Sequence, residues 1–255
     1  MVEKRGKEIL IEGTDGSGKK TQSVKLVDRL DLEGFPSERM SFPRYHTPTG
    51  RIISQCYLGR KTEPEKGDVA WFGNADSVDP MIASLYYAAD RKAAKEKMIG
   101  ILNSGKNLVL DRYVESNMGH QGGKETDPKK REEMIEFIEE LEYGLLKLPR
   151  PDLTIFLYLP YEHTVKLREK RLETDGHESN QGHLIRAEET YLQLAEKYKW
   201  TKINCTRLGN VRSKEDIAEE VYQHAIDTIT YRKMFLQDYL LQIRTRIQNL
   251  INKNF

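Results

Sequence analysis

The sequence predicts an α/β fold in which a five-stranded parallel sheet carries helices on both faces. Three observations predict it. Short apolar runs alternate with stretches of helical periodicity along most of the chain. The first run, "KEILIE" from Lys7 to Glu12, sets Ile9, Leu10 and Ile11 in direct succession, as a strand buried on both faces requires. A glycine-rich loop, "GTDGSGKKTQ" from Gly13 to Gln22, follows that run at once and opens a helical pattern.

Each element has its own signal. After the loop, Val24, Leu26, Val27 and Leu30 recur at helical spacing until Gly34, which places a helix over Gly18–Gly34. Further strands are expected at Ser37–Phe42, Asn107–Asp111 ("NLVLD"), Leu153–Leu159 ("LTIFLYL") and Thr201–Cys205. Helices are expected at Met81–Ser104, Pro128–Leu148, Tyr161–Leu172, Leu184–Tyr198 and Ser213–Thr230. The stretch Lys61–Pro80 lacks a clear period and reads as a loop or short insertion. No repeat, low-complexity tract or linker divides residues 1–230, which are expected to form one domain. Beyond them, residues 231–255 place Phe235, Tyr239, Leu240, Ile243, Ile247, Leu250 and Ile251 at helical intervals among charges. This amphipathic C-terminal helix is expected to pack on its own domain or across a dimer. Membrane-surface binding is the less favoured alternative, because acidic and basic residues mix along it.

Composition narrows the function classes. Charged residues make up 32% of 255 and the net charge is +1, so no polyanion-binding surface for nucleic acid is indicated, and anion binding must come from local arrangement. The two cysteines, Cys56 and Cys205, lie far apart without metal-ligand spacing, which fits a reducing compartment. No apolar run approaches the length needed to span a bilayer. The expectation is a soluble cytoplasmic protein.

The loop carries the chemistry. Strand, loop and helix in that order, with the spacing Gly13-x-x-x-x-Gly18-Lys19, indicate a P-loop NTPase fold. Gly13, Gly16, Ser17, Gly18, Lys19, Lys20 and Thr21 are the candidate phosphate-binding residues, with Lys19 reaching the terminal phosphates. Lys20 departs from the pattern: an ammonium stands where a Ser or Thr hydroxyl normally ligates Mg²⁺, and Thr21 points to another part of the helix. Metal is therefore expected to be held by phosphates, water and a carboxylate such as Asp15 or Asp111.

Four segments carry a family resemblance: "GTDGSGKKT", "FPRYHTPTG" (Phe42–Gly50), "LYYAADR" (Leu85–Arg91) and "LDRYVESNMGHQGG" (Leu110–Gly123). Together they resemble thymidylate kinase, over about Lys7 to Asp227, and the Asp-Arg-Tyr segment is the most specific part. The resemblance implies transfer of the terminal phosphoryl group of ATP to dTMP, with ATP and Mg²⁺ as cofactors, and a homodimer. It also implies roles for particular residues. Arg44 and Arg112 would grip the acceptor phosphate, with Phe42 and Tyr45 nearby, and Asp15 would meet the sugar 3′-hydroxyl and the metal region. Tyr87 would stack on thymine, Arg91 would bond a thymine carbonyl, and Asn117 would read the ring nitrogen with Ser116 beside it. His120 stands where relatives often have Tyr, crowding the sugar 2′ position. A lid is expected over about residues 166–186, and because Gly16 fills the slot where one branch of the family has arginine, Arg168 or Arg171 would supply the charge-stabilising guanidinium.

Two other functions share parts of this pattern. A deoxynucleoside kinase would need a general base after the second strand, where this chain has Arg44. A nucleotide-dependent regulatory subunit without catalysis would explain Lys20.

Overall fold

The computed structural model describes residues 5–59, 73, 75–168 and 181–230. Five parallel strands form the sheet: β1 (Glu8–Gly13), β2 (Ser37–Ser41), β3 (Asn107–Asp111), β4 (Leu153–Tyr158) and β5 (Thr201–Asn204), in the order β2-β3-β1-β4-β5. β1 is central and every one of its residues is buried. Its side chains divide the core into two layers. Leu10 faces a cluster with Met40, Leu108, Leu110, Met98, Leu102 and Met118, whereas Ile9 and Ile11 face Val109, Ile155, Leu26, Leu30 and Val221. The first layer is closed by α3 (Pro80–Asn103), α4 (Val114–Gly122) and α5 (Pro128–Glu139), the second by α1 (Lys19–Leu32) and a helix over residues 214–230.

Local signals start these helices where the chain turns. Asp79 accepts hydrogen bonds from the backbone N–H groups of Met81 and Ile82 ahead of α3, and Asp127 does the same for Lys129 and Lys130 ahead of α5. Both caps precede a proline in the first turn, where a missing N–H costs nothing.

Three features depart from the expected element map. A short helix, α2 (Pro48–Arg51), continues into wider π-type turns over Ile52–Tyr57, in a stretch with no long apolar period. The α4 helix lies directly after β3, hidden in sequence by its two closely spaced glycines, Gly119 and Gly122. The helix expected over Pro128–Leu148 keeps α-geometry only to Glu139 and widens over Glu140–Leu145, which turns Glu142 and Tyr143 into the core. The remaining helices are α6 (Tyr161–Arg168) and α7 (Gln181–Lys197), and a small antiparallel pair joins β6 (Thr206–Arg207) to β7 (Asn210–Val211). Most of the loop expected at Lys61–Pro80, part of the expected lid and all of the 231–255 extension lie outside the described residues. Among the described residues, no helix is long and apolar enough to cross a membrane.

Candidate active site

The glycine loop leaves the carboxyl end of the central strand, the edge at which parallel sheets bind ligands. At Gly13 a Cβ would stand 2.5 Å from the carbonyl oxygen of Leu157, so β4 admits only glycine there. Gly16 and Gly18 take left-handed φ values of 79° and 92°, and Gly18 caps α1. Thr14 locks the loop to β4: its hydroxyl donates to the Leu159 carbonyl at 2.7 Å and accepts from the Leu159 N–H at 3.1 Å. Lys19 Nζ donates to the carbonyls of Gly13 (2.8 Å) and Thr14 (2.9 Å) and lies 3.8 Å from Asp15 Oδ1. Burial, then the neighbouring Arg112, depress its ammonium to about 8. Ser17 Oγ is buried with no hydrogen-bond partner, and the Lys20 side chain is exposed. A loop of this shape, with an orphaned hydroxyl and a cation folded onto its own carbonyls, fits a polyphosphate.

The segment after β3 meets this loop. Arg112 takes a left-handed φ of 66°, and its guanidinium donates from Nη2 to Asp15 Oδ1 at 2.6 Å. Lys19 and Arg112 thus approach one carboxylate oxygen from two different elements. Burial alone would raise the Asp15 carboxyl, but Arg112, His120 and Lys19 around it hold it well below the usual carboxylate range. Arg112 Nη1 also lies 3.2 Å from His120 Nε2. Asp111 is paired differently: Arg39 from β2 bonds it through Nη2 and donates from Nε to Ser23 Oγ at 2.7 Å. A narrow cleft opens between the loop, α6 and α7, with Thr14, Asp15, His120, Thr164 and Tyr191 in its wall.

Further along the same edge, a second set of side chains converges on Glu142. This carboxylate is fully buried and receives Arg91 in a bidentate pair, Nε to Oε2 at 2.5 Å and Nη2 to Oε1 at 2.6 Å. Arg91 Nη1 donates to the Tyr113 carbonyl at 3.1 Å, which leaves one N–H on each terminal nitrogen. Asn117 Nδ2 donates to Glu142 Oε1 at 2.9 Å, while Asn117 Oδ1 is buried without a partner. Tyr87 meets Tyr57 edge-to-face with ring centroids 5.8 Å apart, and Tyr45 packs against the same small cluster. Phe42 is buried in the main core, tilted against Tyr113. Arg44 reaches Asp90, donating from Nη2 to its carbonyl oxygen at 2.8 Å and its Oδ1 at 3.2 Å, with Nε buried and unpartnered. Beside Asn117, the Ser116 hydroxyl donates to Glu12 Oε1 at 2.5 Å.

Residues 11–217 match the family model for thymidylate kinase. The chain belongs to the thymidylate kinase family. A thymidylate kinase of Dictyostelium discoideum is 30% identical over 164 residues, 64% of this chain and 63% of that protein. One of Limosilactobacillus fermentum is 30% identical over 231 residues, covering 88% of this chain and 99% of that one. The chain therefore matches just under two thirds of the length of the first relative and nearly all of the second. The thymidylate kinase structure of Candida albicans matches at a TM-score of 0.64 and 24% identity, over 86% of this chain and 90% of that one, which supports the fold.

Family membership implies a magnesium ion with the nucleotide, and the carboxylates fit it poorly. Asp15 is engaged by Arg112 and Asp111 by Arg39, and no group of three metal-ligating side chains gathers among the described residues. Sequence reasoning brought the loop, Arg112, Arg91, Asn117 and His120 to the same sheet edge. The sequence did not reveal the carboxylates along this edge, Glu12, Asp90 and Glu142, nor one cation, Arg39, and one imidazole, His183, that join them. Of these, Asp90 had a legible signal, since it adjoins Arg91 within the family segment. Arg168 ends α6 and Arg171 lies outside the described residues.

Proposed function

We propose that the chain transfers the terminal phosphoryl group of ATP to dTMP, giving dTDP and ADP. One observation carries the reading: Asp15 Oδ1 is flanked by Lys19 at 3.8 Å on the glycine-loop side and by Arg112 at 2.6 Å on the other. Phosphoryl transfer needs little covalent work from a protein, only charge neutralisation and in-line positioning. Lys19 and the loop would hold the donor phosphates, Arg112 and Arg44 the acceptor phosphate, and Asp15 would hold Lys19 and Arg112 side by side until the phosphates compete for them. Mg²⁺ would be carried by the donor phosphates and water.

The base follows from hydrogen-bond polarity. Arg91 has N–H groups to give and Asn117 Oδ1 has lone pairs to receive. Thymine offers a carbonyl at position 4 and an N–H at position 3, which answers both. Cytosine offers an amino group and a ring nitrogen acceptor, which opposes both. A deoxynucleoside kinase is disfavoured because, among the described residues, the carboxylate beside Arg44 is Asp90, which already accepts from the Arg44 backbone N–H and guanidinium and from Thr47 and Thr49.

Steady-state kinetics with saturating ATP and Mg²⁺ test the reading. The expected order is dTMP, then dUMP, weaker by about 1 kcal/mol for the missing methyl group, then UMP. dCMP should fall further, since a buried donor left unpaired costs about 1–3 kcal/mol. A preference for dCMP, a purine nucleotide or free thymidine sinks it.

A further inference from the structure

We infer that Arg39 is a positioning residue that keeps the Asp111 carboxylate from the metal, so that the chain grips a nucleotide through its phosphates with almost the same affinity whether or not Mg²⁺ accompanies it. The inference rests on the donor half of the reading above, the binding of ATP at the glycine loop. A phosphate loop ordinarily offers its metal two protein groups, the hydroxyl that follows the loop lysine and an aspartate at the end of a neighbouring strand. In this chain a cation stands at both places. Lys20 follows Lys19 directly, and Arg39 bonds Asp111, the last residue of β3.

The pleat of the sheet puts Arg39 there. Alternate residues of a strand face opposite sides. Met40 and Leu110 belong to the layer under α3 and α4, so Arg39 and Asp111 face the α1 side, as Val109 does. In the β2–β3 register Arg39 stands opposite Val109 and Ser41 opposite Asp111, so the guanidinium reaches forward by two residues, toward the carboxyl end of the sheet. It ends between β3 and α1: Nη2 donates to Asp111 Oδ2, and Nε donates to Ser23 Oγ at 2.7 Å. Ser23 is fully buried and donates in turn to the Lys20 carbonyl at 3.0 Å. Arg39 thus fastens the edge strand to the first turn of α1 with the same group that holds the carboxylate.

This pair differs from Asp15 and Arg112. Asp15 stands in the wall of the cleft, where an entering phosphate can take Arg112 over, whereas neither Asp111 nor Arg39 lines it. Opening the Arg39 pair would strip a buried serine of its guanidinium donor and leave a buried carboxylate without its cation, a costly exchange. Asp111 is nevertheless close enough to Lys19 for its charge to bear on the loop ammonium. A bare carboxylate at that place would repel a metal-free polyphosphate and favour one that carries a divalent cation. With Arg39 upon it, Asp111 does neither.

Calorimetric titration of the whole protein with ATP, once in EDTA and once in excess Mg²⁺, reads the ratio of the two Kd values. For the unaltered protein they should agree within about threefold. Arg39→Met keeps the stem but removes the cation, and should weaken metal-free ATP by about tenfold relative to Mg·ATP, the scale of one added charge interaction. Adding Asp111→Asn to Arg39→Met should return the ratio to that of the unaltered protein, which a mere loosening of β2 would not do. Asp111→Asn alone leaves Arg39 its bond to Ser23 and should also hold the ratio within about threefold. A tenfold or greater preference of the unaltered protein for Mg·ATP overturns the inference. So does an unchanged ratio in Arg39→Met, a preference that survives in the double variant, or a selective loss of Mg·ATP in Asp111→Asn. None of these titrations contains dTMP, so the expected ratios in a protein that fails to phosphorylate dTMP would count against the acceptor reading alone.

Discussion

Because Lys19 and Arg112 reach the same oxygen of Asp15 from different elements, their removal should leave different kinetic signatures. Lys19→Ala is expected to lower kcat by roughly 10²–10³, the range for losing a transition-state electrostatic contact, with dTMP affinity nearly intact. Arg112→Ala should weaken dTMP binding and turnover together, and equal loss of dTMP affinity in both variants, measured by titration calorimetry, contradicts the division of labour. At the other end of the site, Glu142 holds both Arg91 and Asn117. Breaking a buried ion pair from one side leaves an uncompensated charge, so Glu142→Gln should destabilise the fold by about 3–5 kcal/mol. It should also raise KM for dTMP, because the two base-reading groups lose their common anchor. Urea unfolding and dTMP kinetics check the two halves. A stable Glu142→Gln variant with normal KM would place base recognition elsewhere.

Among elements, α4 concentrates the most constraint. Glu115 is buried in its first turn, with Oε1 accepting from Tyr143 and Oε2 unpartnered, and burial raises its carboxyl to about 7. A carboxyl raised on folding contributes stability below its unfolded value, and that contribution is lost as pH rises through the folded value. Glu115→Gln should therefore be more stable than the unaltered protein above about pH 7, by at most about 3 kcal/mol. The difference should vanish by about pH 4 in urea titrations, and a constant difference across that range rules the account out. Gly119→Ala should cost about 1–3 kcal/mol by overpacking against Tyr191, outweighing the helix propensity of alanine; an unchanged thermal midpoint would contradict this. These elements also mark how far the sequence was legible. Strands β1, β3 and β4 declared themselves because burial on both faces leaves uninterrupted apolar runs, and the glycine loop did so by its spacing. α4 did not, because its periodicity is broken by the glycines that let α7 approach. Glu142 was hidden for a related reason: within "IEELEYGL" it reads as one more charge on a solvated helix face, until the wider turns rotate it inward.

For the whole molecule, the site exists only where the carboxyl ends of several strands meet, so ligands and fold are coupled. A ligand that binds only the native state adds about 2.7 kcal/mol of stability at a concentration of a hundred times its Kd. Saturating dTMP with ATP should accordingly slow hydrogen exchange across β1, β3 and β4 together, and protection confined to the loop would show the coupling to be local. The strand order carries one more consequence. β1 pairs with β3 through Glu8 and Leu108 and with β4 through Ile9 and Leu153, partners a hundred or more residues downstream. The phosphate loop therefore leaves the ribosome well before β4, and it must wait for Leu157 and Leu159 before Gly13 and Thr14 have anything to lean on. Nascent chains stalled before β4 emerges should ignore nucleotide, and those that expose β5 should retain it: acquisition of ligand binding during synthesis is a clock that reads the arrival of the fourth strand.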